Sequence, residues 1–266
     1  MNMTATSGVT SVRRLFVLLC GFEIIPKSIS TRDRHGDIVI SVPITAYLMD
    51  TDEGWVLFDA GLDEANLRDP ALLQARYLSI GWDPPPVVWR SHEMEGQLTE
   101  VGLGFGDIAR VIVSHLHADH SGHLKRMTQA RLIIQRDERD YAFSGEERAS
   151  WFRSDYDLPD LKWEVIEGDR MIMPGMQAIK TRGHSPGHQS LIVDLPNTGR
   201  VVLAGDVGDL MENFRDEVLP GESADDVAAL ASIRRINALV AGGAKLFLTH
   251  DPDLLLTLKR APNCYD

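Results

Sequence analysis

Apolar residues fall in short runs along almost the whole chain. Runs rich in β-branched and aromatic residues at 14–25, 38–49, 55–59, 110–114, 131–135, 163–166, 176–181, 190–194, 200–204 and 245–249 predict strands. A helical period is clearest after Ser223, which reads as an N-cap. Val227, Leu230, Ile233, Ile236 and Val240 follow at spacings of three and four, and Gly242-Gly243 ends the pattern. Strands therefore dominate, with helices interspersed. No polar linker interrupts them, so residues 13–266 read as one α/β domain. Residues 1–12 are small and polar and read as a loose, flexible tail.

Two segments need separate treatment. Arg13-Arg14 followed by the apolar run 15–20 imitates a secretory signal, but no small-x-small cleavage site follows and Glu23 breaks the run. It is read as the first strand. Residues 63–102 carry Tyr77, Trp82, Pro84-Pro85-Pro86 and Trp89 with little strand character. Three successive prolines favour an extended, stiff loop. The excursion is expected to serve as a lid or interface, or to fold its aromatics back on the core.

Charge and composition narrow the function. Among 266 residues, 39 acidic side chains stand against 27 basic ones, a net charge of -12. That surface repels phosphate backbones, so no nucleic-acid partner is expected. No run approaches the ~20 apolar residues of a membrane span, so no membrane partner is expected either. Two cysteines, Cys20 and Cys264, make no disulfide framework and fit a reducing, cytoplasmic compartment.

The chemistry concentrates in Ser114-His115-Leu116-His117-Ala118-Asp119-His120, where a β-branched run ends in three histidines and an aspartate. On a helix His115 and His117 would point about 200° apart. On an extended strand end they share a face and can meet one ion, with Asp119 and His120 reaching a second beyond the turn. Further strand exits supply His184, Asp206 and His250. Imidazole nitrogens with carboxylate oxygens suit Zn²⁺, and also Fe²⁺, Mn²⁺ or Co²⁺. Crowding these groups together is costly unless a cation or a hydrogen-bond network offsets it. His123 and His188 read equally well as outer partners or as plain loop residues. Asp59, at the exit of the 55–59 strand, reads as a carboxylate that orients a liganding histidine.

These residues resemble the metallo-β-lactamase superfamily, whose His-x-His-x-Asp-His signature stands here as His115, His117, Asp119 and His120. Within it the chain is most similar to the N-acyl-homoserine lactonases. The similarity runs through Val42–Leu48, Leu57-Phe58-Asp59-Ala60-Gly61, the stretch 114–122, Gly183-His184-Ser185-Pro186-Gly187-His188-Gln189-Ser190, and Thr249-His250-Asp251 through Tyr265. The resemblance implies an αβ/βα sandwich of two central mixed sheets flanked by helices. It implies one metal on His115, His117 and His184, a second on Asp119, His120 and His250, and Asp206 bridging. It also implies a lactone-opening hydrolase working through a metal-bridging hydroxide, with Asp119 or Asp206 moving the proton and no organic cofactor.

Relatives differ in telling positions. One class of β-lactamases has a cysteine ligand where Asp206 stands, and flavin-associated di-iron members have glutamate where His117 stands. Glyoxalase II and the transfer-RNA-processing nucleases share much of the ligand set, so a thioester, aryl ester or phosphoester is the alternative substrate. A silent metal-bound scaffold would be expected to have lost a ligand, and none is lost. The lactonases carry a tyrosine three residues after the bridging aspartate, where this chain has Asp209. An ionised carboxylate there repels a developing oxyanion. Either the metals alone polarise the carbonyl, or Tyr141 or Tyr156 replaces the donor, or the substrate differs. Trp82, Trp89 and Met211 are expected to line an apolar slot for an acyl chain. The partner is a small-molecule lactone or ester, and the chain is expected to be a monomer or homodimer.

Overall fold

A computed structural model describes residues 10–145 and 148–266. Strands β1 (Val12–Pro26), β2 (Val39–Thr51), β3 (Gly54–Phe58), β4 (Ile108–Ile112), β5 (Arg131–Gln135) and β6 (Lys162–Ile166) follow one another across a first sheet. The first three are antiparallel, and β3 to β6 run parallel. A second sheet is ordered β11 (Lys245–Phe247), β10 (Gly199–Leu203), β9 (Gln189–Leu195), β8 (Met176–Lys180) and β7 (Arg170–Met173). It is antiparallel except where β10 meets β11. These are the two mixed sheets of an αβ/βα sandwich.

Side-chain alternation explains the layering. Successive residues of a strand face opposite sides, and in β1 Leu15 and Val17 join Tyr47, Phe58, Met176, Val193 and Leu203 between the sheets. Phe16 and Leu18 face the other way, onto Tyr77, Met94, Leu98 and Phe105. The outer face of the second sheet buries Ile192 and Val202 under Ile233 and Ile236 of the helix Asp226–Ala241. Both faces of the central strands are thus apolar, which is why they read as continuous hydrophobic runs. Each fully buried Leu, Ile or Val contributes about 1.5–3 kcal/mol.

Several expectations change. β1 starts at Val12, and Ser11 donates to Pro174 O (2.8 Å) while Thr10 Oγ1 donates to Asp194 O (2.7 Å), so residues 10–12 are anchored and not a loose tail. Residues 1–9 of that expected tail lie outside the described residues. The long helix is capped by Asp225, whose side chain accepts from Ala228 N–H, and not by Ser223, which donates to Asp226 instead. The 63–102 excursion is largely helical, with turns at Ala65–Arg68, Pro70–Arg76 and Met94–Glu100. It is knit to β1: Gln97 Nε2 donates to Leu19 O (2.7 Å), and Leu19 N–H donates to Gln97 Oε1 (2.9 Å). Tyr77 and Trp82 fold onto the core. Strand β7 has no counterpart among the expected runs. Among the described residues no helix is long and apolar enough to cross a membrane.

Candidate metal centre

β3 and β4 run parallel in the first sheet, β8, β10 and β11 run the same way in the second, and the chemistry-bearing residues follow their C-terminal ends. Asp59 follows β3 and His115 to His120 follow β4. His184 follows β8, Asp206 sits in the tight turn Gly205–Val207 after β10, and His250 follows β11. β4 ends at Ile112, earlier than the sequence suggests. His117 keeps extended backbone (φ -64°, ψ 155°) as it enters the turn Ala118–Ser121, which carries Asp119 and His120.

Three imidazole nitrogens meet in one triangle. His115 Nε2 lies 2.9 Å from His117 Nδ1 and 3.2 Å from His184 Nε2, and the latter two are 3.1 Å apart. A tetrahedron of metal–nitrogen bonds of about 2.0–2.1 Å has edges of about 3.3 Å, close to this triangle. A second group forms alongside. Asp119 Oδ2 is 3.0 Å from His120 Nε2 and 3.5 Å from His250 Nε2. Asp206 lies between the groups. Its Oδ1 is 3.3 Å from His120 Nε2 and 3.4 Å from His250 Nε2, while its Oδ2 is 3.4 Å from His184 Nε2 and 3.6 Å from His115 Nε2. Both groups satisfy the geometry of metal-ligand clusters. His120 Nε2 and Asp206 Oδ1 are buried without a hydrogen-bond partner, as a cation between them requires.

Outer contacts fix the tautomers. His120 Nδ1 donates to Asp59 Oδ2 (2.8 Å) and His250 Nδ1 to Pro43 O (2.8 Å), which turns each Nε2 toward the centre. Ser114 Oγ donates to Asp59 Oδ2 (2.8 Å) and stands 3.0 Å from His115 Nδ1. Asp59 holds this arrangement with a left-handed backbone (φ 64°), a sparsely populated conformation for a residue with a side chain. His188 Nδ1 donates to Thr181 O (3.0 Å), and its Nε2 accepts from Asp206 N–H (2.9 Å). A Cβ at position 205 would fall 2.6 Å from His188 Nε2, so Gly205 is what lets the Asp206 turn approach. His188 therefore stands behind the centre. His123 does not reach it: its nitrogens meet Ala60 O (2.9 Å) and Glu64 Oε2 (3.1 Å).

Charge divides the two groups. Burial drives the imidazoles of the triangle toward the neutral, ligating form: His115 far below its ordinary range, His117 down to about 4 and His184 down to about 3. Burial opposes a proton on His250 as well. Asp206, Asp209 and Asp119 outweigh it and push His250 up to about 10. His120 is raised in the same way, mainly by Asp119, Asp206 and Asp59. Burial would raise Asp206, but His120, His250 and His115 hold it well below the carboxylate range.

The centre floors a cavity of about 820 Å³. Ile25, Ile29, Ile80 and Trp82, with Tyr141 and Trp151, are among the residues that line it. Trp151 packs edge-on against His117, with centroids 4.9 Å apart. Of the expected slot residues, only Trp82 lines the cavity. Trp89 lies 62% exposed against Phe22 and His92, and Met211 lies 43% exposed outside it. Tyr156 is fully buried with its hydroxyl toward Ala142 O (3.5 Å), which removes it as a substrate donor, whereas Tyr141 reaches the cavity. Asp209 lines the cavity.

Three contributors escaped the sequence reading. Glu23 lines the cavity and is pushed up to about 8 by burial and then by Asp119. Its only signal was a carboxylate interrupting an apolar strand. Trp151 gave none. Glu138 sits wholly buried behind the centre, in a run of charges (Arg136 to Asp140) that reads as a solvated helix face.

Residues 40–250 match the sequence model of the Metallo-beta-lactamase superfamily. The chain is 34% identical over 214 residues to the N-acyl homoserine lactonase AiiA of Bacillus thuringiensis subsp. kurstaki, covering 80% of this chain and 83% of that one. It is 30% identical over 234 residues to the N-acyl homoserine lactonase AttM of Azorhizobium caulinodans, covering 85% and 88%. Among solved structures it superposes, with TM-score 0.85 and 30% identity, on an N-acyl homoserine lactone hydrolase carrying the product N-hexanoyl-L-homoserine at its catalytic metal center. That match covers 97% of this chain and 100% of the other. The fold is shared at 18% identity with AidC, a dizinc quorum-quenching lactonase, with TM-score 0.68 over 97% and 94% of the two chains.

Proposed function

The chain belongs to the metallo-β-lactamase superfamily, and from that premise we propose that it is a binuclear-metal hydrolase opening the lactone ring of N-acyl-homoserine lactones. One observation carries the reading: Asp206 turns its two oxygens to two separate groups of imidazoles, within 3.3–3.6 Å of each. A carboxylate so placed would be able to serve two cations. His115, His117 and His184 would hold one ion and Asp119, His120 and His250 the other. Zn²⁺ suits this donor set, and Fe²⁺, Mn²⁺ and Co²⁺ accept the same ligands. When bound, such a pair supplies a Lewis acid for the carbonyl and a nucleophilic water at neutral pH.

The chain's own residues do the rest. Ring opening needs a proton moved from the attacking water to the leaving alkoxide. Asp119 and Asp206 are the carboxylates at the centre placed to move it. Ile25, Ile29 and Trp82 offer the acyl chain an apolar wall. Tyr141 is the tyrosine left to donate to the substrate from the cavity wall. A reducing, cytoplasmic setting belongs to the same reading, supported by Cys20 and Cys264 as unpaired thiols.

Elemental analysis of the purified protein with a substrate panel tests the proposal. Two divalent ions per chain and preferential opening of N-hexanoyl-homoserine lactone are expected. Two bound ions with no lactone opening would sink it. Faster turnover of a thioester or phosphotriester would assign the same centre to a different ester.

A further inference from the structure

Glu138 lies in the first turn of the helix Arg136–Ala142, directly after β5, and its side chain is wholly buried. Its carboxylate is engaged on both sides. Oε1 accepts from Leu116 N–H (3.1 Å), the residue between His115 and His117. Oε2 accepts from Ser185 O–H (2.6 Å) and Gly187 N–H (2.9 Å), just past His184. One side chain therefore holds the main chain of both loops that deliver the imidazole triangle. These loops leave different sheets, β4 in the first and β8 in the second, and a second tie between them is Gln189, whose N–H donates to Ser114 O (3.0 Å) and whose Nε2 donates to Val113 O (2.8 Å) at the base of the loops. Packing is tight at the join: a Cβ at position 187 would lie 2.1 Å from Glu138 N. The second ligand group is anchored elsewhere, through Asp59 on His120 and Pro43 O on His250.

We propose that Glu138 is a positioning residue that sets the spacing of His115 and His117 against His184, and so tunes one of the two metal positions selectively. The inference rests on the reading of the triangle as a metal position. A carboxylate accepting three donors cannot be replaced without loss by an amide, since glutamine turns an N–H₂ toward at least one donor. Outer partners of metal ligands typically govern affinity by about 10–100-fold.

Zn²⁺ titration of the full chain against a chromogenic chelator, with Co²⁺ spectra alongside, tests it. Glu138→Gln is expected to weaken one of the two ions by about 10–100-fold and leave the other within about twofold. The Co²⁺ d–d bands of one position should shift, and kcat should fall with little change in KM. Ser185→Ala, which removes one donor and keeps the fold, is expected to weaken the same ion severalfold. Its effect in the Glu138→Gln background should be less than additive, because both changes act on one hydrogen-bond cluster. Equal weakening of both ions, or a lower Tm with both affinities unchanged, overturns the role of Glu138 alone. A wild-type chain that binds no divalent ion overturns the reading of the centre beneath it. If Glu138→Gln does not fold, the Ser185→Ala titration decides by the same criteria.

Discussion

The floor of the cavity is held from behind by hydrogen bonds, whereas its walls are held by packing from the side. On the floor, His115, His120 and His250 each have their second nitrogen engaged, and Asp206 is tied through its own N–H to His188. Each of those partners restricts a ring to one orientation and one tautomer. The walls come from the end of β1, from the 63–102 segment and from the loop before Trp151, with Trp82 resting on Tyr77 at a centroid distance of 5.1 Å. Apolar contacts are non-directional, so such walls change shape without disturbing the chemistry below. Reaction type is thus fixed by the floor, and choice of substrate is left to the walls.

The contrast breaks most completely at Asp206, whose two oxygens face the two ligand groups. Asp206→Asn removes a charge that both groups use, and the loss of turnover should exceed the roughly 100-fold upper range of outer-partner changes, for every substrate alike. Asp59→Asn should come next. It leaves His120 Nδ1 without its carboxylate and loosens Ser114 N–H, which Asp59 Oδ1 holds at 2.7 Å. A loss of about 10–100-fold in metal affinity is expected, larger for the ion that His120 would hold and smaller, through Ser114 on His115, for the other, read by chelator competition. A substrate-dependent loss from either variant would mean that floor and walls are not separable.

Floor and walls also differed in how far the sequence revealed them. The meeting of His115, His117, Asp119 and His120 was legible because four candidate ligands fall within six residues at a strand exit, where the backbone alone brings them together. His184, Asp206 and His250 were legible because strands running the same way deposit their exits along one edge. Glu138 was invisible: its burial depends on the His184 loop folding over a charged helix turn, a contact between sheets with no local sequence pattern. Trp89 and Met211 failed for the complementary reason, since an aromatic or a methionine carries no mark of the surface it faces. Strand β7 was missed because Arg170 and Met171 are exposed and dilute a four-residue apolar signal. The helix start slipped from Ser223 to Asp225 because both can cap, and only the geometry at Ala228 N–H separates them.

A wall variant should act on substrate choice and not on chemistry. Trp82→Ala enlarges the apolar side of the cavity, where each methylene of a chain is worth about 1–3 kcal/mol. The ratio of kcat/KM for decanoyl- over butanoyl-homoserine lactone should fall about tenfold, with kcat for the short substrate nearly unchanged. Equal loss for both chain lengths would place Trp82 in the support of the floor.

Asp209 is a wall position whose charge is felt by the centre, and its effect should be the smallest and opposite in sign. Burial, then Asp206 and Asp119 against an opposing His250, push its carboxyl up to about 7. The folded protein therefore keeps a proton that the unfolded chain releases near the ordinary carboxylate value of about 3.9. Between those values the folded state binds more protons, so stability from this group is present at low pH and lost as pH rises to about 7. In metal-free protein, Asp209→Asn should flatten the decline of Tm with rising pH over that window. Bound cations draw the carboxyl back toward ionisation, and the resulting charge opposes the oxyanion that forms as the lactone opens. Asp209→Asn should then raise kcat/KM for lactones severalfold at pH 8. A fall instead would mean that the carboxylate receives a donor from the substrate, and that this wall takes part in recognition through hydrogen bonding as well as shape.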